Sequence, residues 1–298
     1  MDALGSSLKR MTDRVSEGSF ATRANRTRGL QAIARELRKL GYELPAATSL
    51  KPKHVTALIR RWKERGIQDP TIRNRLGWVR WWAEHINKRS LLPRSNDNFG
   101  LAKRSRYSGN RARRADPELL DKIRDPRIRL ALTLKAAFGL RREEALKFRP
   151  SASDKGDYLA LVPSTTKGGR YREIPIIHPK QRKLLEEVRR LAGSGSLIPD
   201  GVSYRAYLQR YKSETRRAGI GRAHGLRHGY AQWRYLVLTG WRCPAAGGPT
   251  VEFMIARDAA RDRAARLQIA RELGHGRLDV TDTYLGRRYA AHVRLAAG

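Results

Sequence analysis

Apolar residues recur every three or four positions between residues 20 and 90, which is the spacing that places them on one face of an α-helix. The stripes are interrupted at Gly41 and again at Asp69 and Pro70, where an N-capping residue precedes a proline in the first helical position. This pattern predicts a compact, all-helical module over residues 20–90, preceded by a flexible tail over residues 1–19. The clearest stripe comprises Leu30, Ile33, Ala34, Leu37 and Leu40.

The stretch over residues 91–115 has a different character, because it is polar, basic and rich in residues that favour turns. It carries no apolar stripe of helical spacing. We therefore predict a linker that joins the helical module to a second domain over residues 116–298.

The second domain is predicted to be mainly helical with one small antiparallel sheet. The period changes to two in Tyr158–Val162 and Tyr171–Ile177, which predicts two strands, and Gly168 and Gly169 suit a tight hairpin turn between them. Helices are predicted over about 179–192, 203–218 and 224–240, and in a long segment that ends before Gly274.

The charge of the chain points to a polyanionic partner. The sequence has 63 Lys and Arg against 28 Asp and Glu, a net charge of +35, and the excess is spread over the whole length. Neutralisation of phosphates supplies most of the sequence-independent affinity of proteins for nucleic acids, so we predict a nucleic-acid partner. The candidate contacts are basic residues that lie off the apolar stripes or in the linker: Arg60, Arg61, Lys63, Arg73, Arg75, Arg80, Arg113 and Arg114.

Several classes of protein are disfavoured. No run of 18 apolar residues is present, so no membrane span is predicted, and the first residues lack the apolar core of a signal peptide. Cys243 is the only cysteine, which rules out an internal disulfide and a cysteine-based zinc site. We predict a cytoplasmic protein.

Four separated pieces of the second domain carry polar residues in unusual settings. They are Arg141 after a Gly-Leu pair, Lys167 in the predicted hairpin turn, the run His224–His228, and His275 followed nine residues later by Tyr284. Each has an ordinary explanation when taken alone, such as a surface charge, a solvated turn residue, a helix cap or a core tyrosine.

Taken together, the four pieces resemble the tyrosine recombinase (phage integrase) family. The family's Gly-x-Arg-x-x-Glu motif is matched by Gly139–Glu144, its hairpin lysine by Lys167 and its His-x-Leu-Arg-His motif by His224–His228. Its Leu-Gly-His motif and the tyrosine nine residues later are matched by Leu273–His275 and Tyr284. The resemblance covers residues 115–290. The segment between Arg227 and His275 is longer than in the family's simplest members, so residues 232–263 are predicted to be an insertion. The resemblance implies a mixed α/β catalytic domain, with the helical module in the position of the family's core-binding domain.

The resemblance also implies a role for each residue. Arg141 and Arg227 would hold the non-bridging oxygens of a DNA phosphate in a two-pronged, permanently charged grip. Tyr284 would attack the phosphorus, and because a tyrosine hydroxyl ordinarily titrates near pH 10 it needs help in losing its proton. His224 would give that acid–base help, and His275 would donate a hydrogen bond to the phosphate.

Three further residues complete the implied site. Lys167 would protonate the leaving 5′ oxygen, although Lys155 and Lys180 lie close enough in the sequence to be rivals for this role. Glu144 would brace an arginine, and His228 would be a structural partner. The product would be a 3′-phosphotyrosyl link, formed without a metal or another cofactor.

The family resemblance leaves several functions open. The first choice is an integrase of a mobile element, encoded by a prokaryote or a phage, that acts as a homotetramer on two paired sites in double-stranded DNA. A resolvase of replicons or cointegrates is the second choice. A type IB topoisomerase would share the catalytic residues, and a basic DNA-binding protein could keep the fold without catalysis.

Overall fold

The structure is a computed structural model that describes residues 2–101, 107, 109–161 and 171–289. The chain forms two compact units, Met1–Ser105 and Arg106–Gly298, each with its own hydrophobic core. No helix in the described parts is long and apolar enough to cross a membrane.

The first unit is helical and closes around two tryptophans. Trp62 and Trp82 are completely buried, and the indole of Trp82 donates to the carbonyl of Ala47 at 2.9 Å. Such a donor must be paired when its ring enters a core. The helices of the unit are α1 (Ala3–Arg14), α2 (Phe20–Lys39), α3 (Pro52–Glu64) and α4 (Asp69–His85).

The expectation of a flexible tail over residues 1–19 is wrong. Helix α1 occupies most of this segment, and its Leu4 and Leu8 are buried in the core of the unit. The Asp2 carboxylate caps the helix by accepting from the Gly5 amide at 2.7 Å. The sequence did not reveal this helix because Leu4 and Leu8 are only two apolar residues at helical spacing, and the rest of the segment is mostly polar.

Part of the predicted linker also belongs to the first unit. Leu92 and Leu101 are 5% and 3% exposed and join its core. Leu92 follows Leu91, and Leu101 lies two residues after Phe99, but these short apolar groups stand in a polar stretch and show no helical period. Further along, the Arg113 amide donates to the Gly225 carbonyl at 2.9 Å, within the second unit.

The second unit is mainly helical with a two-stranded antiparallel sheet, which confirms the predicted fold class. Strand β1 (Tyr158–Leu161) pairs with β2 (Arg172–Pro175), with Tyr158 opposite Pro175 and Leu161 opposite Arg172. The hairpin tip, including Lys167, lies outside the described residues. The helices are α5 (Pro117–Asp121), α6 (Pro126–Phe138), α7 (Arg142–Leu146), α8 (Pro150–Ser153), α9 (Pro179–Ala192), α10 (Tyr204–Arg217), α11 (Gly225–Thr239), α12 (Ala256–Glu272) and α13 (Asp282–Leu285).

The predicted insertion over residues 232–263 is largely helical at both ends. Helix α11 continues to Thr239 and α12 begins at Ala256, so only the segment between them is a connection. This connection packs against the residues that follow α13, since the Val251 amide donates to the Arg288 carbonyl at 3.0 Å. Whether the segment is an insertion relative to other proteins stays a prediction.

Candidate active site

The hydroxyl of Tyr284 lies between an arginine and a histidine. Tyr284 belongs to the short helix α13 and is 6% exposed. Arg227 donates from Nε to this hydroxyl at 3.3 Å, and Nε2 of His275 lies 3.2 Å from it. The residues are 57 and 9 positions away from Tyr284 along the chain, so the fold brings together three of the side chains that the sequence singled out.

Two backbone carbonyls hold the guanidinium of Arg227 in place. Its side chain is completely buried in α11 and donates from its two terminal nitrogens to the carbonyls of Gly139 and Leu273. Burial, partly offset by the contact with Tyr284, lowers the pKa of Arg227 to about 10, so the group keeps its charge at pH 7. A fixed cation at the hydroxyl would stabilise negative charge on the tyrosine oxygen.

Gly139 gives Arg227 its carbonyl partner through an unusual backbone conformation. Its φ is 62°, in the left-handed region that glycine adopts without strain. A Cβ at this position would lie 2.5 Å from a ring atom of Tyr230 and 2.9 Å from a methyl group of Leu273. The motif therefore requires glycine for packing as well as for backbone conformation.

A Gly139→Ala substitution is expected to destabilise the protein. Backbone strain contributes about 1–3 kcal/mol, and the forced displacement of Tyr230 and Leu273 adds an overpacking cost of similar size. Gly156→Ala is the matched control, because Gly156 has a φ of 87° but no atom within 4 Å of the added Cβ. Urea unfolding should show a larger loss in the free energy of unfolding for Gly139→Ala than for Gly156→Ala. Equal losses would mean that Tyr230 and Leu273 can move aside without cost.

Glu144 forms ion pairs with two arginines, Arg141 and Arg172. Its carboxylate accepts from Arg141 Nη1 at 2.8 Å and from Arg172 Nη1 and Nη2 at 3.0 and 2.6 Å, and it also accepts from the Arg141 amide at 2.6 Å. Arg141 further donates to the Leu273 carbonyl at 3.2 Å. This matches the bracing role expected of Glu144, but it does so for two arginines.

Sequence reasoning missed Arg172. In strand β2 it shares a face with Ile174, and both side chains are buried while Glu173 between them is exposed. A charged residue at an inward position of a strand was the signal that could have found it, because a buried arginine needs a partner. Gly274 leaves room for it, since a Cβ there would lie 3.1 Å from Arg172 Cδ.

Three histidines surround the ring of Tyr284. The ring centroids of His228, His275 and His224 lie 4.6, 5.6 and 6.4 Å from its centroid. Burial, followed by the charge of Arg227 and other nearby cations, lowers the pKa of His275 to about 4. The same causes lower the pKa of His224 to about 4, although this residue is the most exposed of the three, and burial likewise lowers that of His228 to about 4. All three rings are therefore neutral at pH 7, and each has an unprotonated ring nitrogen that can accept a hydrogen bond.

The short helix that carries Tyr284 is anchored on both sides by Arg266 of α12. Arg266 is completely buried and donates from Nη1 to the Asp282 carboxylate and to the Gly286 carbonyl, both at 3.1 Å. Its Nε donates to Asp262 at 2.8 Å, and Asp262 in turn accepts from Arg288 Nε at 2.8 Å. The backbone around Tyr284 is thus fixed at Asp282, Gly286 and Arg288.

The predicted DNA contacts differ in their surroundings. Arg60, Arg61, Arg113 and Arg114 are exposed, although Arg60 also lies 3.8 Å from Glu64. The other four side chains bond within the first unit. Lys63 donates to the Phe99 carbonyl, Arg73 to the Leu101 carbonyl, Arg75 to Glu36, and Arg80 to Asn96.

Comparison with solved structures finds the same fold in several DNA recombinases. A lambda integrase dimer bound to a COC′ core site superposes with a TM-score of 0.61 at 16% identity, covering 98% of this chain and 80% of the other. A lambda integrase tetramer bound to a Holliday junction gives 0.55 at 17% identity, covering 76% and 71%. The Tn1549 transposon integrase in complex with circular intermediate DNA gives 0.55 at 14% identity, covering 97% of both chains.

Two family models match successive parts of the sequence. The model described as "Phage integrase, N-terminal" matches residues 1–90, and the model described as "Integrase" matches residues 105–233. No curated protein sequence matches the chain. The two models follow one another in the order of the two structural units, and the fold agrees with them. The chain therefore belongs to the tyrosine recombinase (phage integrase) family.

Proposed function

We propose that this protein is a site-specific DNA recombinase that cuts a strand with Tyr284 and rejoins it through a 3′-phosphotyrosyl intermediate. The observation that carries the proposal is the position of the Tyr284 hydroxyl, 3.3 Å from Arg227 Nε and 3.2 Å from His275 Nε2. Family membership supports the reaction class. A tyrosine that served only in packing would not need a fixed cation and a neutral histidine at its oxygen.

In the first step the Tyr284 oxygen attacks the phosphorus and the bond to the 5′ oxygen breaks. Arg227 and Arg141 would hold the non-bridging oxygens, where charge accumulates in the transition state. Backbone carbonyls fix both guanidinium groups, and Glu144 also bonds to Arg141. These two side chains would therefore lose little conformational entropy when they bind a phosphate.

The phenol proton must leave as the attack proceeds. His275 is the histidine within hydrogen-bonding distance in the DNA-free protein, whereas the ring of His224 is farther away. Both rings are neutral at pH 7, so each has an unprotonated nitrogen. A bound phosphate would bring a negative charge beside them, which favours the protonated ring. We assign proton acceptance to this pair. The resemblance implies His224 for that role and His275 for the phosphate, whereas the distances to the hydroxyl favour His275 as the acceptor. Lys167 remains the proposed donor of a proton to the leaving 5′ oxygen.

Attack of a 5′ hydroxyl from a partner strand on the phosphotyrosine would reverse the step and join new ends. We propose that the protein performs this exchange as a homotetramer on two paired sites in double-stranded DNA, as the integrase of a mobile element. The lambda and Tn1549 integrases share the fold that this proposal requires, and a resolvase of the same family is the alternative.

The experiment is capture of the covalent intermediate. The wild-type protein is incubated with a pool of nicked duplexes that carry a randomised stretch, and protein-linked DNA is isolated in SDS and sequenced. We expect an adduct joined to a 3′ end, with a free 5′ hydroxyl that accepts a kinase label, and no adduct from Tyr284→Phe, because phenylalanine has no oxygen to attack with.

Tyr289→Phe is the matched control, since Tyr289 is an exposed tyrosine only five residues away and should be dispensable for cleavage. Intact-duplex binding by Tyr284→Phe should equal that of the wild type. A wild-type protein that binds DNA without forming an adduct would support the non-catalytic alternative. An adduct that persists in Tyr284→Phe would refute the assignment of the nucleophile.

A further inference from the structure

A strongly basic cavity of about 1110 Å³ opens beside the active site. It is lined in part by Arg141 and His224, and therefore adjoins the residues proposed to grip the attacked phosphate. Among the described residues that line it, none is acidic. Its further cations include Arg111, Arg113, Lys135 and Arg142.

Lys135 is the unusual member of this lining. It lies in α6 and is 2% exposed, yet its ammonium group has no carboxylate within ion-pair distance in the described parts of the chain. Its hydrogen-bond partner is the hydroxyl of Tyr211 on α10, at 3.4 Å. A buried ammonium is ordinarily paired, because the cost of removing it from water is otherwise uncompensated.

The surroundings of Lys135 are cationic on several sides. Burial first, and then the charges of Arg142 from α7 and Arg227 from α11, lower its pKa to about 7. The neutral ring of His224 lines the same cavity, and Tyr211 offers its hydroxyl and the face of its ring, whose centroid lies 5.9 Å from the ammonium, but no negative charge. The protein thus holds a titratable amine where an anion is missing.

We propose that Lys135 is an additional phosphate-binding residue, and that the cavity it lines receives a backbone phosphate of the bound DNA. A phosphate supplies both the negative charge and the acceptor oxygens that the ammonium lacks. The inference rests on the proposed function only in taking DNA as the ligand. The alternative is a structural lysine that serves Tyr211, which would affect folding and leave DNA affinity unchanged.

The first test measures affinity without cleavage, using an intact, fluorescently labelled 30-base-pair duplex of random sequence. Lys135→Met should bind about tenfold more weakly at low salt, and the slope of log K against log salt should fall by about 0.9, the value for one phosphate contact. Lys183→Met is the matched control, because it removes the same charge from an exposed site on α9 and should leave the slope unchanged. Equal slopes for the wild type and Lys135→Met would overturn the proposal.

The second test uses pH. A bound phosphate raises the pKa of Lys135, so the complex holds more protons than the free protein, and affinity should fall as pH rises above about 7. The fall should approach tenfold per pH unit up to the pKa of the complex. Lys135→Arg is charged throughout this range and should bind without that fall, whereas an unchanged pH profile would overturn the proposal. Absence of a covalent adduct from the wild type would count against the recombinase function alone, since neither binding test requires cleavage.

Discussion

Replacing Glu144 by glutamine is expected both to lower the free energy of unfolding and to impair the candidate active site. The substitution leaves Arg141 and Arg172 without their shared carboxylate, and Arg172 is only 5% exposed. Breaking a buried ion pair by removing one partner costs roughly 3–5 kcal/mol, because the remaining charge stays out of water. Arg141 also loses the contact that fixes its guanidinium, so adduct formation should fall even at temperatures where the variant remains folded.

Glu143→Gln provides the matched control. Glu143 is the preceding residue, but it is exposed and pairs only with Lys147 on the surface, a contact worth under about 1 kcal/mol. Urea unfolding and the rate of adduct formation should both separate the two variants. If Glu144→Gln were as stable as Glu143→Gln, the two arginines would have to find other partners, and the bracing role would be wrong.

The same pair of variants should differ in acid. Burial alone would raise the pKa of Glu144, but the hydrogen bonds and charges of Arg172 and then Arg141 outweigh it and lower the pKa to about 2. The carboxylate therefore contributes stability that is complete above its unfolded value near 4.5 and is lost as pH falls toward 2. The free energy of unfolding of the wild type should decline through this window, and that of Glu144→Gln should lack this component of the decline.

Replacing Arg266 by methionine is expected to have an effect of similar size on stability and to slow the chemistry selectively. Methionine retains apolar bulk but removes the bonds to Asp262, Asp282 and the Gly286 carbonyl. Loss of one partner from this buried network costs roughly 3–5 kcal/mol. Because Asp282 and Gly286 flank Tyr284, the proposed nucleophile should lose its fixed orientation, while the basic surface keeps its charge.

The measurement compares adduct formation with DNA affinity at a temperature where all variants are folded. We expect Arg266→Met to form the adduct more slowly while its DNA affinity is nearly unchanged. Arg266→Lys should recover part of the rate of adduct formation, because lysine can keep one of the ion pairs. Arg263→Met serves as the control, because Arg263 is exposed on the same helix, three residues earlier. Equal loss of affinity and rate in Arg266→Met would indicate general disruption of the fold instead of misplacement of Tyr284.

The prediction of the fold from the sequence succeeded where the signal was local. Helix α4 begins one residue before the predicted first helical position, because Gln68 is the N-cap and Asp69 lies in the first turn. The two strands pair as the change of period indicated. The motifs around Arg227 and Tyr284 identified side chains that the fold brings together. A short spacing, such as that of Leu4 and Leu8 in α1, carried too few residues to be distinguished from chance.

Long-range pairings are the part that the sequence could not supply. Arg172 meets Glu144 across 28 positions, and Arg234 meets Glu272 across 38, so only the packing of the elements decides which charges become partners. Lys135 resembles any other lysine in a helix until the burial around it is known. A chain with so many basic residues gives little reason to single out the few that are buried.

The imbalance of charge beneath Tyr284 has a thermodynamic consequence. Arg141, Arg172 and Arg227 are packed together, and Glu144 bonds directly to only two of them. Mutual repulsion among these cations raises the free energy of the unliganded protein, and a phosphate in their midst removes that repulsion. By linkage, whatever binds the folded state alone stabilises it, so the nucleic acid would act as a missing part of the core as well as a substrate. The protein without nucleic acid would then be the less stable form, and the complex the more stable one.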